Sequence, residues 1–186
     1  MPPRSGVMRM SWVPLVSDEQ ASPEVKRIYD YIGKRWSFVP NYFRALGHDA
    51  QLLQDQANLY TNAMFDERGL PRVVKEQLAI VVSGLNVSTY CLPAHLEILG
   101  RLGLDKALGR KLSLNYPSAP VDPKVMDLFR FAEKLTRTPG EMEKTDVDRL
   151  REAGWSDAAI FDTVLVTSLY ACANRFSAGL GLIADF

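Results

Sequence analysis

A short stretch of the sequence, from Glu76 to His95, contains the residue types that thiol chemistry needs. Cys91 and His95 are four positions apart and Ser88 precedes the cysteine by three, so on a helix these three side chains share one face. Free N–H groups in the first turn of a helix stabilise a thiolate, the nucleophilic form of cysteine, and a nearby histidine can accept the thiol proton. The spacing predicts that Cys91 lies in a first turn and that its pKa is lowered.

The carboxylate of this stretch belongs to a different element. Apolar residues recur at helical intervals from Val74 to Leu85 and extend round the cylinder, which predicts a helix buried on more than one side. Glu76 lies on this helix, close to the core, where a carboxylate must be paired, hydrogen-bonded or protonated. Glu76 joins the cysteine and histidine only if its helix packs against theirs.

Helical periodicity dominates the rest of the chain, and strand alternation is hard to find. The sequence therefore predicts an all-α, compact bundle of about seven to nine helices. Helix starts are marked by a capping residue or a proline at Ser22-Pro23, Pro40, Asp122-Pro123 and Ser156-Asp157, and the last helix is expected to reach about Gly179. The 186 residues fit one domain, residues 1–186, with an extended N-terminal arm at residues 1–20.

Composition limits the function classes. The 22 basic and 22 acidic residues balance, which argues against nucleic acid or an anionic membrane as the main partner. No apolar run approaches the roughly 18 residues of a membrane span, and the first residues contain no signal-peptide core, so we expect a soluble, cytoplasmic protein. The two cysteines, Cys91 and Cys172, are too few for a disulfide framework. We expect Cys172 to pack in the core.

The combination of Glu76, Ser88, Cys91 and His95, separated by eleven, two and three residues, resembles a known motif. It is similar to the core motif of the AhpD-like alkylhydroperoxidase and carboxymuconolactone decarboxylase superfamily, whose redox branch has a glutamate followed by Cys-x-x-Cys-x-x-x-His. The runs LAIVVSGLN, PNYFRAL and NRF also look like this superfamily, and most like its peroxidase-related subgroup, over residues 10–186. The resemblance implies an AhpD-like helical fold, a homo-oligomer (dimer, trimer or hexamer) and an antioxidant oxidoreductase of the peroxidase or peroxiredoxin type.

One position departs from the redox motif. Ser88 stands where the redox branch has its first cysteine, which serves there as proton donor and disulfide partner, while the second cysteine forms the sulfenic acid. The resemblance therefore implies that Cys91 reduces hydrogen peroxide or an organic hydroperoxide through a sulfenic acid, with His95 and Glu76 managing protons. An external thiol, or Cys172 if the fold brings it close, is needed to complete the cycle.

Alternative interpretations remain open from the sequence. A lyase or isomerase similar to the decarboxylase branch would use Glu76 and His95 for proton transfer and would need no cysteine pair. A third hypothesis is a non-catalytic relative. A metal site of Glu76, Cys91 and His95 is disfavoured because His48 is distant in sequence and the usual Cys-x2-Cys and His-x3-His spacings are absent. Neither a cofactor nor a metal is expected, and Ser88 is read as a helix cap within the site rather than a nucleophile.

Overall fold

The computed structural model describes residues 11–186, and within that range the chain forms nine α-helices and no strand. This confirms the all-α prediction. Two short 3-10 turns, Tyr116–Ser118 and Pro139–Glu141, flank the seventh helix. The helices are α1 (Pro23–Trp36), α2 (Asn41–Leu46), α3 (Ala50–Phe65), α4 (Arg72–Leu85), α5 (Cys91–Arg101), α6 (Lys106–Asn115), α7 (Pro123–Arg137), α8 (Lys144–Glu152) and α9 (Asp157–Gly179).

The helix starts follow from local capping chemistry. The side chains of Ser22, Asp122 and Ser156 each accept a hydrogen bond from a first-turn N–H of α1, α7 and α9, respectively. Pro23 and Pro123 occupy first-turn positions, where the missing N–H costs nothing. Each cap contributes about 1 kcal/mol, so these helix starts are encoded locally.

Helix α4 forms the centre of the bundle. It packs against α5, α6, α7 and α9, and every residue from Val74 to Ser83 is buried. Each large aliphatic side chain buried in this way contributes about 1.5–3 kcal/mol. Gly84 allows α6 to approach closely, because a Cβ at this position would lie 2.2 Å from the carbonyl oxygen of Ser113. The predicted multi-sided burial of α4 is confirmed.

A fully buried lysine ties α4 to two of its neighbours. The Lys75 ammonium forms an ion pair with Asp162 of α9 at 2.8 Å and donates to the carbonyl oxygens of Ala63, at 2.9 Å, and Asp66. All three partners bind the same ammonium group, so Lys75 holds the end of α3 against α4 and α9. This role of Lys75 was not identified from the sequence.

Replacing Lys75 with methionine is expected to lower the free energy of unfolding by about 3 kcal/mol, because the half-buried Asp162 carboxylate loses its counter-charge and two carbonyl oxygens lose their donor. Denaturant unfolding followed by circular dichroism measures the change. Lys26→Met, at an exposed position on α1, is the matched control. Equal stabilities of the two variants would show that Lys75 does not hold these helices together.

The described half of the predicted arm, residues 11–20, contains no helix and lies against the bundle. The Trp12 N–H donates to the Leu180 carbonyl at 3.0 Å, and the Val16 N–H donates to the Arg44 carbonyl at 3.1 Å. Residues 1–10 of the predicted arm lie outside the described residues, so the arm's full extent and the single-domain assignment stay predictions. No helix in the described range is long and apolar enough to cross a membrane.

Candidate active site

The packing of α5 on α4 brings His95 against Glu76. The His95 Nδ1 lies 2.5 Å from Glu76 Oε2, and both side chains are buried. An ionised carboxylate can only accept, so Nδ1 carries a hydrogen, and whenever the ring is neutral its Nε2 is the acceptor. The Tyr170 ring of α9 meets the imidazole edge to face, with centroids 4.5 Å apart. The predicted association of Glu76 with the α5 site residues is therefore present, and His95 is held in one orientation.

Arg72 binds the Glu76 oxygen that His95 does not contact. Its Nε and Nη2 atoms lie 2.6 Å and 2.5 Å from Glu76 Oε1, and its guanidinium stacks on the Phe65 ring at 3.9 Å from the centroid. Burial alone raises the pKa of Glu76, but His95 and Arg72 together outweigh it, and the pKa is lowered overall. Glu76 is therefore a carboxylate at neutral pH. Sequence reasoning missed Arg72, although its i, i+4 spacing to Glu76 was a usable signal.

Cys91 is the first residue of α5, as predicted. The Ser88 hydroxyl accepts a hydrogen bond from the Cys91 N–H at 3.2 Å, which confirms the interpretation of Ser88 as a cap. The thiol is only 4% exposed, and burial raises its pKa, an effect that the Ser88, Asn174 and Ser177 side chains only partly offset. The predicted lowering of the Cys91 pKa is therefore wrong, because desolvation of the thiolate outweighs the stabilisation offered by a helix start.

The second cysteine lies on a different face of α9. Tyr170, Asn174 and Ser177 are buried on the side of α9 that faces the site, whereas Cys172 is exposed. At about 100° per residue, Cys172 is rotated by about 200° from Tyr170 and points away from that side. The expectation that Cys172 packs in the core is wrong, since its position belongs to the solvent-facing stripe of the helix. Both cysteines are free thiols in this structure.

Cys91 and His95 line the same cleft, which has a volume of about 60 Å³. This is room for a few water molecules, or for a peroxide group. Much of the wall is aromatic, and its members include Trp36, Tyr42, Phe43, Tyr60, Tyr90 and Tyr170. Glu76 and Ser88 are not among the lining residues, so they act on the cleft only through His95 and Cys91.

Comparison with protein-family models gave no match, and neither did comparison with curated proteins. Solved structures do match. An uncharacterized peroxidase-related protein from Silicibacter sp. TM1040 is 30% identical, with a TM-score of 0.85 over 96% of this chain and 95% of that chain. The chain belongs to the AhpD-like superfamily, in its peroxidase-related subgroup. The resemblance seen in the sequence is confirmed.

Two further structures share the AhpD-like fold at lower identity. An uncharacterized peroxidase-related protein from Ralstonia eutropha JMP134, described as an alkylhydroperoxidase AhpD core, is 22% identical, with a TM-score of 0.87 over 95% of this chain and 93% of that chain. The debrominase Bmp8, solved in complex with 2,3,4-tribromopyrrole, is 17% identical, with a TM-score of 0.78 over 96% and 93%. The AhpD-like fold thus occurs in enzymes.

Tyrosine hydroxyls form a second polar feature of this AhpD-like cleft. Burial raises the pKa of Tyr42 to about 12 and raises the pKa of Tyr60 and Tyr170 well above the ordinary value. All three are protonated at neutral pH and can donate hydrogen bonds. The Tyr60 hydroxyl is buried beside the Tyr42 hydroxyl and forms no hydrogen bond of standard geometry among the described residues, so it can donate to a molecule in the cleft. These tyrosines were not identified from the sequence, because only the fold brings them to the cleft that Cys91 lines.

The remaining histidine is remote from the AhpD-like site. His48 is exposed in the connection between α2 and α3, and its Nε2 lies 2.9 Å from the Pro14 carbonyl oxygen. Between residues 11 and 186, no three His, Cys, Asp or Glu side chains are grouped so that they could hold a metal ion.

Proposed function

We propose that this AhpD-like chain is a thiol-dependent peroxidase in which Cys91 reduces a hydroperoxide. The observation that carries the proposal is the placement of Cys91 and His95 on one small cleft, with His95 oriented by Glu76 and Arg72. Membership of the peroxidase-related subgroup supports the same reaction class.

In the proposed reaction the Cys91 sulfur attacks the terminal oxygen of R–O–O–H. The S–O bond forms as the O–O bond breaks, and the thiol proton passes through His95 Nε2 to the leaving oxygen. The products are Cys91 sulfenic acid and ROH, or water when the substrate is hydrogen peroxide. Tyr60 donates a hydrogen bond to the substrate oxygen. No hydrogen bond joins the Cys91 thiol to His95 in the part of the chain that the structure describes, so we expect substrate or water to carry the proton between them.

The raised pKa of Cys91 predicts how the reaction depends on pH. Because the thiolate is the reactive form and its fraction grows as pH rises, the rate of Cys91 oxidation is expected to climb as pH rises above neutrality, with a midpoint above that of an ordinary cysteine thiol. Thiolate absorbance in the ultraviolet, recorded on Cys172→Ser, measures the midpoint directly. Complete ionisation of the Cys91 thiol at neutral pH would contradict this prediction.

Turnover requires a second thiol. Cys172 points away from the cleft side of α9, so we propose an external thiol as the reductant. That thiol condenses with the sulfenic acid to give a mixed disulfide and water, and a second thiol then releases Cys91. The homo-oligomer and the cytoplasmic location stay predictions.

Trapping the intermediate tests the proposal. Cys172→Ser is treated with hydrogen peroxide or cumene hydroperoxide together with a sulfenic-acid trap, and the adduct is located by mass spectrometry. We expect one adduct, on Cys91, forming faster than on a free small thiol. Oxidation no faster than that of the free thiol would refute the proposal.

A second candidate is reductive debromination of a small aromatic ring, favoured by the aromatic wall and by the shared fold of the debrominase bound to 2,3,4-tribromopyrrole. The Cys91 sulfur would take the bromine as an S–Br bond while the ring carbon takes a proton, and an external thiol would then release bromide and form a disulfide. Bromide release from tribromopyrrole in the presence of a thiol separates this candidate from the peroxidase.

The decarboxylase-like alternative has less support. Both Glu76 oxygens are engaged by His95 and Arg72, and Glu76 does not line the cleft, which leaves His95 as the accessible member of that pair. A non-catalytic relative would show neither peroxide-dependent oxidation of Cys91 nor bromide release.

A further inference from the structure

The segment that follows α9, residues 181–186, folds back against the start of α2 and places Asp185 in the lining of the cleft. Asp185 Oδ1 accepts a hydrogen bond from the Asn41 N–H at 2.8 Å, and the Ile183 carbonyl accepts one from the Asn41 side chain at 3.1 Å. The Phe186 ring packs against Phe38, with centroids 5.1 Å apart. These contacts fix the segment against the start of α2.

The Asp185 carboxylate lies at the cleft beside Cys91. Asp185 is a lining residue, and its Oδ2 accepts a hydrogen bond at 2.7 Å from the hydroxyl of Tyr90, the residue before the cysteine. The same hydroxyl accepts the Tyr42 N–H at 2.8 Å, so the carboxylate has a fixed position. Burial raises the pKa of Asp185 overall, and the hydrogen bonds from Asn41 and Tyr90, which favour its ionised form, offset this effect only in part.

The Arg44 guanidinium acts on this negative charge from beyond salt-bridge distance. No ion pair involves Asp185 within residues 11–186, and the Arg44 guanidinium is engaged by Asp18 at 2.6 Å. Among the described residues that line the cleft, Asp185 is the one carboxylate, and the lining tyrosines and Cys91 all have raised pKa values, so they are protonated at neutral pH. A cleft with low-dielectric aromatic walls concentrates the field of a single carboxylate.

We propose that Asp185 makes the cleft selective for uncharged or cationic molecules and excludes those that carry an anionic group near the reacting atom. The substrate class that follows, an uncharged hydroperoxide with a small apolar body, rests on the proposed function. The charge selectivity itself is a property of the cleft and can be measured without any peroxide.

Two alkylating reagents of nearly the same size provide the test. Iodoacetamide is neutral and iodoacetate is anionic, and both alkylate a thiolate at the same carbon, so the ratio of their rates cancels the thiolate fraction of Cys91. Rates are measured on Cys172→Ser by mass spectrometry and compared with the same ratio for 2-mercaptoethanol, a free thiol without a charged group. We expect Cys91 to favour iodoacetamide about tenfold more strongly than the free thiol does.

Substitutions at Asp185 assign the selectivity to its charge. In Asp185→Asn the ratio is expected to fall about tenfold, towards that of the free thiol, mainly because iodoacetate reacts faster. Asp185→Glu keeps the charge and is expected to retain most of the ratio. Asp30→Asn, which removes an exposed carboxylate from α1, is the matched control and leaves the ratio unchanged.

Three outcomes overturn the proposal: a wild-type ratio equal to that of the free thiol, an unchanged ratio in folded Asp185→Asn, or equal loss of the ratio in Asp185→Asn and Asp185→Glu. The last would show that the position of the Asp185 side chain, not its charge, controls access. If Asp185→Asn does not fold, the wild-type ratio decides. Failure of the peroxidase proposal leaves this measurement intact, because alkylation needs no peroxide.

Discussion

Replacing Cys91 with serine is expected to reduce thiol-dependent peroxide consumption by about 10³-fold or more, because the proposed S–O bond has no other atom on which to form. A hydroxyl does not attack an O–O bond under the same conditions. Consumption of hydrogen peroxide and cumene hydroperoxide, with an external thiol in excess, measures the effect.

Cys172→Ser is the matched control for this substitution, because it removes the other thiol of the chain from an exposed position. Its activity is expected to equal that of the unchanged protein. Cys91→Ser is nearly isosteric and lies among the polar Ser88, Asn174 and Ser177 side chains, so we expect both variants to fold. Equal peroxide consumption by Cys91→Ser and the unchanged chain would exclude the thiol mechanism.

The second large effect is expected at Glu76. In Glu76→Gln the side-chain amide can donate to His95 Nδ1, which moves the ring hydrogen to Nε2 and removes the acceptor that faces the cleft. Loss of this proton acceptor is expected to slow Cys91 oxidation by about 10²–10⁴-fold. Rapid-mixing measurement of sulfenic-acid formation at fixed pH reports the rate.

The same substitution leaves the Arg72 guanidinium without its counter-charge, so the free energy of unfolding is expected to fall by about 3–5 kcal/mol. Glu152→Gln, an exposed carboxylate on α8, is the matched control and should change neither quantity. Rate and stability are separated by assaying well below the unfolding midpoint of the variant. A folded Glu76→Gln that oxidises Cys91 at the original rate would show that His95 orientation plays no part in the reaction.

Because the pKa of Cys91 is raised, the proposed reaction needs the Glu76–His95 pair to accept the thiol proton. A thiol that is already ionised needs no base, whereas a buried, protonated thiol must lose its proton as the reaction begins. Glu76 stabilises the positively charged imidazole that forms when His95 accepts this proton. Because the Cys91 thiol is buried and protonated, we expect it to react only when its proton can pass to His95, with substrate or water in the cleft.

Much of the fold could be predicted from the sequence because its determinants are local. Capping side chains such as Ser22 and Ser156, first-turn prolines such as Pro23, and the apolar period of α4 all act within one or two turns. The spacing of Cys91 and His95 is likewise a property of one helix, and it supported recognition of the superfamily. The all-α class, the start of α5 at Cys91 and the capping role of Ser88 follow from such short-range rules.

The remaining features were decided by tertiary packing, because they depend on residues far apart in the chain. The sign of the Cys91 pKa shift depends on how completely α9 and the surrounding elements exclude water, and no local pattern encodes that. Tyr170 and Asp185 lie near the end of the chain, and only the tertiary fold places them at the cleft that Cys91 and His95 line. The exposure of Cys172 depends on which face of α9 meets α4. The sequence by itself determined the helices and the cysteine–histidine pair, whereas the tertiary structure determined the electrostatic environment of that pair, since desolvation and charge act through space rather than along the chain.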